Sequence, residues 1–94
     1  MLLVYPESKF PLGLLSATRR LLEQVSHEDV GVALFRHAVG DWGDLSEEDR
    51  ATNDAALRDG GRLLSAYTSS VGVQFWIITE ADRSATTILL PDDY

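Results

Sequence analysis

The sequence predicts an α+β domain, in which two or three N-terminal helices pack on an antiparallel sheet containing a C-terminal three-stranded meander. Apolar residues before Gly61 recur with helical spacing, whereas those after it alternate as in strands. Hydroxyl residues also precede the helical stretches, where they can act as caps. The chain has 94 residues, the length of one domain, so residues 1–94 are predicted to form a single unit.

Three helices are predicted from their capping residues. Thr18 precedes RRLLEQV, Ser26 precedes a helix over residues 27–38, and Ser46 precedes a helix over residues 47–58. The hydroxyl at each position can accept a hydrogen bond from a free N–H of the first turn. In the third helix, Glu47 with Arg50 and Asp54 with Arg58 are predicted to pair on the solvent side. Its core residues are predicted to be Ala51, Ala55 and Leu57.

Three runs after Gly61 are predicted to be the strands of the meander: RLLSAYT, VQFWIIT and ATTILL. A short strand at residues 12–17 is predicted to extend the sheet. Both faces of the second run are largely apolar, because Phe75 and Ile77 alternate with Trp76 and Ile78. We therefore expect helices on one face and a partner or a second copy of the chain on part of the other.

Composition excludes several classes of function. Fifteen acidic residues against eight Lys and Arg give a net charge of −7, which disfavours direct binding to a phosphate backbone. The absence of cysteine excludes disulfides, thiolate metal sites and thiol catalysis, and fits a cytoplasmic location. No apolar stretch approaches the length that spans a membrane. Seven of the fifteen acids lie between Asp41 and Asp59, where only Arg50 and Arg58 oppose them.

The stretch HAVGDWGDL, residues 37–45, has two interpretations. In the first, it is a glycine-rich link between helices, and Trp42 folds back as a core anchor whose indole N–H is satisfied locally. In the second, Trp42 is a partly exposed anchor for a partner, flanked by the carboxylates of Asp41 and Asp44. The two interpretations are not exclusive.

The loop TEADRS, residues 79–84, is a second candidate site. It carries two carboxylates, a guanidinium and two hydroxyls, although charged residues are also typical of a solvated hairpin loop. Arg83 is expected to pair with Asp82 or Glu80, or to reach across to Asp41 or Asp44.

Besides a protein that binds a partner, the sequence allows a rival class of function, a metal-dependent enzyme that acts on nucleic acid or nucleotides. His37 and four carboxylates are suitable ligand types: Asp41, Asp44, Glu80 and Asp82. Their spacing matches no metal motif, and the chain has no GxSxG and no phosphate-binding loop. His37 is instead expected either to cap the end of its helix, where a cation is favoured, or to lie on the buried stripe of that helix with Val30 and Leu34. We therefore predict no enzyme activity, no metal and no cofactor.

Three blocks of the sequence are long and specific: FPLG with the following Ala17 and Thr18, HxxGDWGDL with the acids after it, and WIITEADRS with TTILLP and Tyr94. Together they resemble a family of small uncharacterised bacterial proteins found on plasmids and other mobile elements. The resemblance covers residues 10–94. TRRLLEQ departs from the small, proline-containing helix start expected there, which leaves the first helix start in question. The family brings no catalytic residues to this chain.

This resemblance implies a mobile-element setting, in which short acidic proteins inhibit restriction and CRISPR systems by occupying nucleic-acid-binding surfaces. The predicted function is therefore to bind and block the basic surface of a host defence complex, as an anti-CRISPR or anti-restriction inhibitor that mimics DNA. A small dimeric accessory protein is a further alternative. The predicted partner-binding residues are Asp41, Trp42, Asp44, Glu47, Glu48, Asp49, Asp54, Glu80, Asp82 and Arg83.

Overall fold

A computed structural model describes residues 7–94 and confirms the α+β class. The first six positions of the predicted 1–94 unit lie outside the described residues. The helices are α1 (Arg19–Gln24), α2 (His27–Ala38) and α3 (Glu47–Asp59). The strands are β1 (Leu14–Ala17), β2 (Leu63–Thr68), β3 (Gln74–Thr79) and β4 (Ala85–Leu89), followed by a 3-10 turn at Pro91–Asp93.

The three helices begin at the hydroxyl residues that the sequence indicates. The side chains of Thr18, Ser26 and Ser46 each accept a hydrogen bond from a backbone N–H three residues further on, at 3.1 to 3.2 Å. Each cap satisfies a donor that has no partner within its own helix. Gly60 ends α3 in the left-handed conformation at φ +87°, which glycine adopts without a Cβ clash.

The sheet is mixed, which corrects the predicted antiparallel sheet. Its strand order is β1-β4-β3-β2. β2 with β3 and β3 with β4 are antiparallel neighbours, whereas β1 runs parallel to β4 with Leu14 opposite Ala85. Alternation of apolar residues carries no information on strand direction, and the parallel pair joins segments about 70 residues apart in the chain.

One face of the sheet carries the main core. Leu21 of α1 and Leu34 of α2 pack with Phe75, Ile77 and Ile88, and all five side chains are buried. Residues of α1 and α2 therefore cover this face, and the burial of these side chains contributes hydrophobic stabilisation to the fold.

The opposite face is covered in part by the chain itself. Tyr94 packs edge-on against Trp76, with ring centroids 5.9 Å apart, and the Arg62 guanidinium lies 5.3 Å above the Tyr94 ring. Ile78 and Leu89 on the same face are buried. The cover that we expected from a partner or a second copy is thus provided, over Trp76, by Tyr94.

The buried side of α3 differs from the prediction. Ala51 is exposed and Ala55 is half-buried, whereas Asn53 is buried. Asn53 Nδ2 donates to the Leu64 carbonyl at 2.5 Å, and the Leu64 N–H donates to Asn53 Oδ1 at 3.2 Å. The polar side chain faces inward because it serves both free backbone groups of a residue on edge strand β2. Leu57, also predicted in the core, is half-buried and packs against a second cluster of buried side chains, formed by Phe10, Trp42 and Leu63.

Within residues 7–94, no helix combines the length and the apolar character needed to cross a membrane.

Candidate functional site

The GDWGD segment, residues 40–44, lies along the outer edge of β2. Gly43 forms a parallel bridge with Ala66. The Asp44 N–H donates to the Ala66 carbonyl at 2.7 Å, and the Ala66 N–H donates to the Trp42 carbonyl at 3.2 Å. Together with Asn53 on Leu64, this segment satisfies backbone groups that an edge strand would otherwise expose, which protects the edge from pairing with another chain.

Gly43 has no space for a side chain. A Cβ on Gly43 would lie 1.9 Å from the Ala66 carbonyl oxygen and 2.8 Å from the Tyr67 ring, and φ is +76°. The glycine therefore permits the close backbone approach on which the bridge depends.

Trp42 is a core residue, with only 3% of its surface exposed. Its Nε1 donates to Asp54 Oδ1 at 2.9 Å, and its ring stacks on Phe10 with centroids 6.4 Å apart. The core-anchor interpretation is confirmed. The interpretation of Trp42 as an exposed partner anchor is wrong, because backbone pairing of the segment turns the indole inward.

Asp41 is held by Arg36 and is not a free carboxylate. Arg36 Nε donates to Asp41 Oδ2 at 2.8 Å and Nη2 donates to Oδ1 at 3.2 Å. These hydrogen bonds lower the pKa of Asp41 against the opposing effect of partial burial. The Asp41 carbonyl also accepts the Tyr67 hydroxyl at 2.8 Å. Asp41 thus fixes the end of α2 to the sheet, and its carboxylate is paired with the Arg36 guanidinium.

His37 lies fully buried against the sheet, which confirms its place on the buried stripe of α2 and contradicts the predicted charged helix cap. Its Nδ1 shares a hydrogen bond with Ser65, and its Nε2 lies 2.8 Å from Thr79 Oγ1. The series of hydrogen bonds continues from Thr79 Oγ1 to Thr86 Oγ1, which are 2.7 Å apart, and Thr86 Oγ1 donates to the Leu12 carbonyl at 2.6 Å. Burial, with a smaller contribution from the Arg83 charge, lowers the pKa of His37 to about 3. His37 is therefore a neutral core residue.

This buried polar chain was missed by the sequence analysis. A signal for it exists in β2, where Ser65 falls between Leu63 and Tyr67 at an inward position of the alternating pattern. A polar residue at such a position requires a buried hydrogen-bond partner. The sequence does not reveal that the partner is His37.

The exposed carboxylates concentrate where GDWGD leads into α3. We call the side chains of Asp44, Glu47, Glu48 and Asp49 the acidic corner; all four residues are exposed. Asp44 Oδ2 accepts the Thr68 hydroxyl at 2.9 Å, which fixes the position of this carboxylate on β2.

The arginines of α3 do not form the predicted pairs. Arg50 donates to the Gly43 carbonyl at 2.7 Å and to the Leu45 carbonyl at 3.2 Å, and thus holds the link to the helix in place of pairing with Glu47. Arg58 lies 3.6 Å from Asp59, while Asp54 accepts the Trp42 indole N–H. Asp54 is therefore partly committed to the core anchor.

Arg83 also binds backbone, contrary to the expected ion pairs with carboxylates. It has φ +61°, and its guanidinium donates to the carbonyls of Gly61, Ala56 and Glu80 at 2.5, 3.2 and 3.1 Å. A cation at the end of α3 is favoured by the helix dipole. In the same loop, Asp82 accepts the Ser84 N–H at 2.9 Å, and hydrogen bonds from Ser84 lower the pKa of Asp82. This loop and the acidic corner are not tied together by Arg83.

The ligand set of the rival metal site does not assemble. His37 is buried against β2 and β3, Asp41 and Asp44 border β2, and Glu80 and Asp82 belong to the β3–β4 loop. Among residues 7–94, no three His, Asp or Glu side chains are grouped so as to hold a metal ion.

A shallow groove of about 280 Å³ lies between α3 and β2. We call it the α3–β2 groove. Its lining includes one member of the acidic corner, Asp49, and comprises Leu45, Asp49, Thr52, Asn53, Arg62 and Leu64.

Comparison with other proteins identifies no family for this chain. The chain matches no protein-family model, and no curated protein or solved structure matches it either.

Proposed function

We propose that this protein binds the basic, nucleic-acid-binding surface of a partner protein and blocks it. The acidic corner carries the proposal, because it concentrates four exposed carboxylates within residues 44–49. Carboxylates grouped in this way attract a cationic surface over long range and compete with the phosphates that the surface normally binds.

Rigid positioning of the acidic corner supports this function. Asp44 is fixed by backbone and side-chain hydrogen bonds to β2, and the Ser46 cap fixes the first turn of α3. Arg50 braces the link through two backbone carbonyls. A backbone that is already fixed loses little conformational entropy on binding, which favours affinity.

Acids in the first turn of α3 also stabilise the helix through its dipole, so such residues are expected there without any partner. Helix stabilisation does not account for Asp44, which precedes the helix and borders the strand edge. The experiment must therefore separate binding from stability.

We base the class of partner on the predicted resemblance of the three sequence blocks to mobile-element proteins. We extend the proposal to a restriction or CRISPR complex of the host, met in the cytoplasm. In this role the protein acts as an anti-restriction or anti-CRISPR inhibitor without catalysis and without a cofactor.

Competition with DNA tests the proposal. A panel of purified restriction enzymes and CRISPR effector complexes is mixed with a labelled DNA duplex, and displacement by this protein is followed by fluorescence anisotropy at low and high salt. We expect displacement from one member of the panel and a marked loss of inhibition at high salt, because the contacts are screened. A complex that binds the protein and DNA at the same time would contradict blocking.

Charge-matched variants identify the surface responsible. The triple variant Asp44→Asn, Glu47→Gln, Glu48→Gln should lose at least about tenfold in affinity, which corresponds to roughly 1.4 kcal/mol. The control variant removes three exposed acids elsewhere: Glu23→Gln, Glu28→Gln and Asp92→Asn. Equal losses in both variants would show that only net charge matters, and an unaffected triple variant would exclude the acidic corner.

A further inference from the structure

The α3–β2 groove has the size of a site for one side chain. Its volume of about 280 Å³ falls just below the range of roughly 300–1,000 Å³ that small-molecule sites occupy. It is open to solvent and borders the acidic corner through Asp49. A segment on the surface of a partner can therefore reach it.

Its walls differ in chemistry. Leu45 and Leu64 contribute apolar surface, whereas Asp49 and Thr52 contribute a carboxylate and a hydroxyl. The nitrogen and the oxygen of the Asn53 amide are both hydrogen-bonded to the Leu64 backbone, so this side chain forms a fixed wall of the groove. An occupant that combines an apolar stem with a cationic head matches this arrangement.

Arg62 is the one cation among the lining residues, and it is held at Tyr94. Its Nη2 donates to the Tyr94 hydroxyl at 2.6 Å, and its guanidinium lies 5.3 Å above the Tyr94 ring. Within the described part of the chain, Asp49 forms no ion pair with Arg62 or with any other cation. The carboxylate in the groove is thus open to a cation from outside.

We propose that the α3–β2 groove receives an arginine side chain from the basic surface of the partner, an inference that rests on the proposed function. The methylene stem lies against Leu45 and Leu64, and the guanidinium donates to the Asp49 carboxylate. A planar guanidinium can make two parallel hydrogen bonds to a carboxylate, a geometry not available to lysine.

A titration of the full ¹⁵N-labelled chain with acetyl-arginine amide tests the groove directly. We expect saturable shifts of the amide signals of Asp49, Thr52 and Leu64. Acetyl-citrulline amide, which keeps the shape but lacks the charge, should produce no saturable shift at these positions. Shifts of similar size at acids throughout the chain, or equal binding of citrulline, would overturn the inference.

Two substitutions should change the affinity for acetyl-arginine amide in opposite directions. Asp49→Asn should weaken arginine binding by about tenfold, the effect of losing one charged hydrogen-bond partner. Arg62→Gln should strengthen it, because the like charge at the rim is removed. An anion-binding groove centred on Arg62 would show the reverse pattern with acetyl-aspartate amide as the probe, and that result would also overturn the inference.

The same variants separate this inference from the proposed function. Loss of partner binding in the triple variant, with full binding by Asp49→Asn, would leave the proposed function standing and remove the groove from it. Retention of partner binding by the triple variant would reject the proposed function. Asp59→Asn, at the other end of α3, is the single-charge control and should bind acetyl-arginine amide like the native chain.

Discussion

At the scale of single residues, burial changes the chemistry that residue type suggests. His37 is a titratable ring next to a helix end, yet both of its nitrogens are bound to hydroxyls within the core. Trp42 lies between acids in the sequence, yet its ring packs beside Phe10 and His37. In both cases the side chain stabilises the fold and is removed from the surface.

His37 should make stability depend on pH. The pKa of His37 is lowered from 6.5 to about 3 in the folded protein, so the unfolded chain takes up a proton first as pH falls. The stabilising contribution is complete above about pH 6.5 and should be lost at up to roughly 1.4 kcal/mol per pH unit below it. Urea unfolding at several pH values between 7 and about 4.5 measures this slope.

His37→Asn should flatten the profile, while the exposed His27→Asn variant should follow the native one. Where His37→Asn does not fold, the imidazole signals of the native protein provide the check. They should show a neutral ring down to about pH 4.5. Titration of His37 near pH 6.5 in the folded state would contradict its assignment as a buried neutral residue.

At the scale of elements, the backbone groups at the outer edge of β2 are hydrogen-bonded by the GDWGD segment and by α3. The segment supplies backbone partners for Ala66, and Asn53 of α3 supplies amide partners for Leu64. Both contacts occupy hydrogen-bonding groups at the sheet edge, and both hold the acidic corner in place. The same contacts therefore stabilise the fold and position the proposed binding surface.

Gly43→Ala should detach the segment from β2. The added Cβ would meet the Ala66 carbonyl oxygen at 1.9 Å in a left-handed backbone conformation, so the bridge must open. We expect a loss of at least about 2 kcal/mol in the free energy of unfolding. Gly60→Ala is the matched control, because Gly60 has a similar φ but no atom beyond its chain neighbours within 4 Å of the added Cβ, and the substitution should cost only about 1 kcal/mol. Similar losses in the two variants would argue against a packing role for Gly43.

Asn53→Ala should expose the Leu64 backbone to exchange. Its N–H and carbonyl lose their side-chain partners, at a cost of about 1–3 kcal/mol in stability. Hydrogen exchange at the Leu64 amide should quicken relative to Ile77 in the sheet centre. Thr52→Ala, next to Asn53 on α3, is the control, and unchanged exchange at Leu64 in the Asn53 variant would refute the contact.

At the scale of the whole molecule, the last residues of the sequence contact two other parts of the fold, the start of α1 and the second face of the sheet. Asp93 accepts the Thr18 hydroxyl at 2.7 Å and pairs with Arg20 at 3.0 Å, which joins the 3-10 turn to the start of α1. Tyr94 then covers Trp76 and reaches Arg62. This closure leaves less of the apolar second face open to a partner or a second copy.

Tyr94→Ala should uncover Trp76 without unfolding the domain. Solvent paramagnetic relaxation of the Trp76 indole should rise, while the buried Trp42 indole serves as an internal reference. Tyr94→Phe keeps the ring and removes only the hydroxyl, so it should have the smaller effect. Light scattering then measures whether the uncovered face self-associates; unchanged relaxation at Trp76 would contradict the cover.

The amino-acid sequence alone determined the features that depend on neighbours in the chain. The caps at Thr18, Ser26 and Ser46 and the helix end at Gly60 are local, because a hydroxyl or a glycine acts within three or four residues. The α+β class follows from the periodicity of apolar residues for the same reason.

Tertiary structure decided which charged and polar side chains remain available. Arg83 turns to backbone carbonyls, Asp41 is bound by Arg36, and His37 meets hydroxyls on two strands. These contacts follow from the packing of α2, α3 and the GDWGD segment on the sheet, as does the parallel pairing of β1 with β4. Residue type and spacing do not specify these contacts. The sequence therefore identified the acidic stretch, and only the fold showed which of its carboxylates are hydrogen-bonded to other side chains.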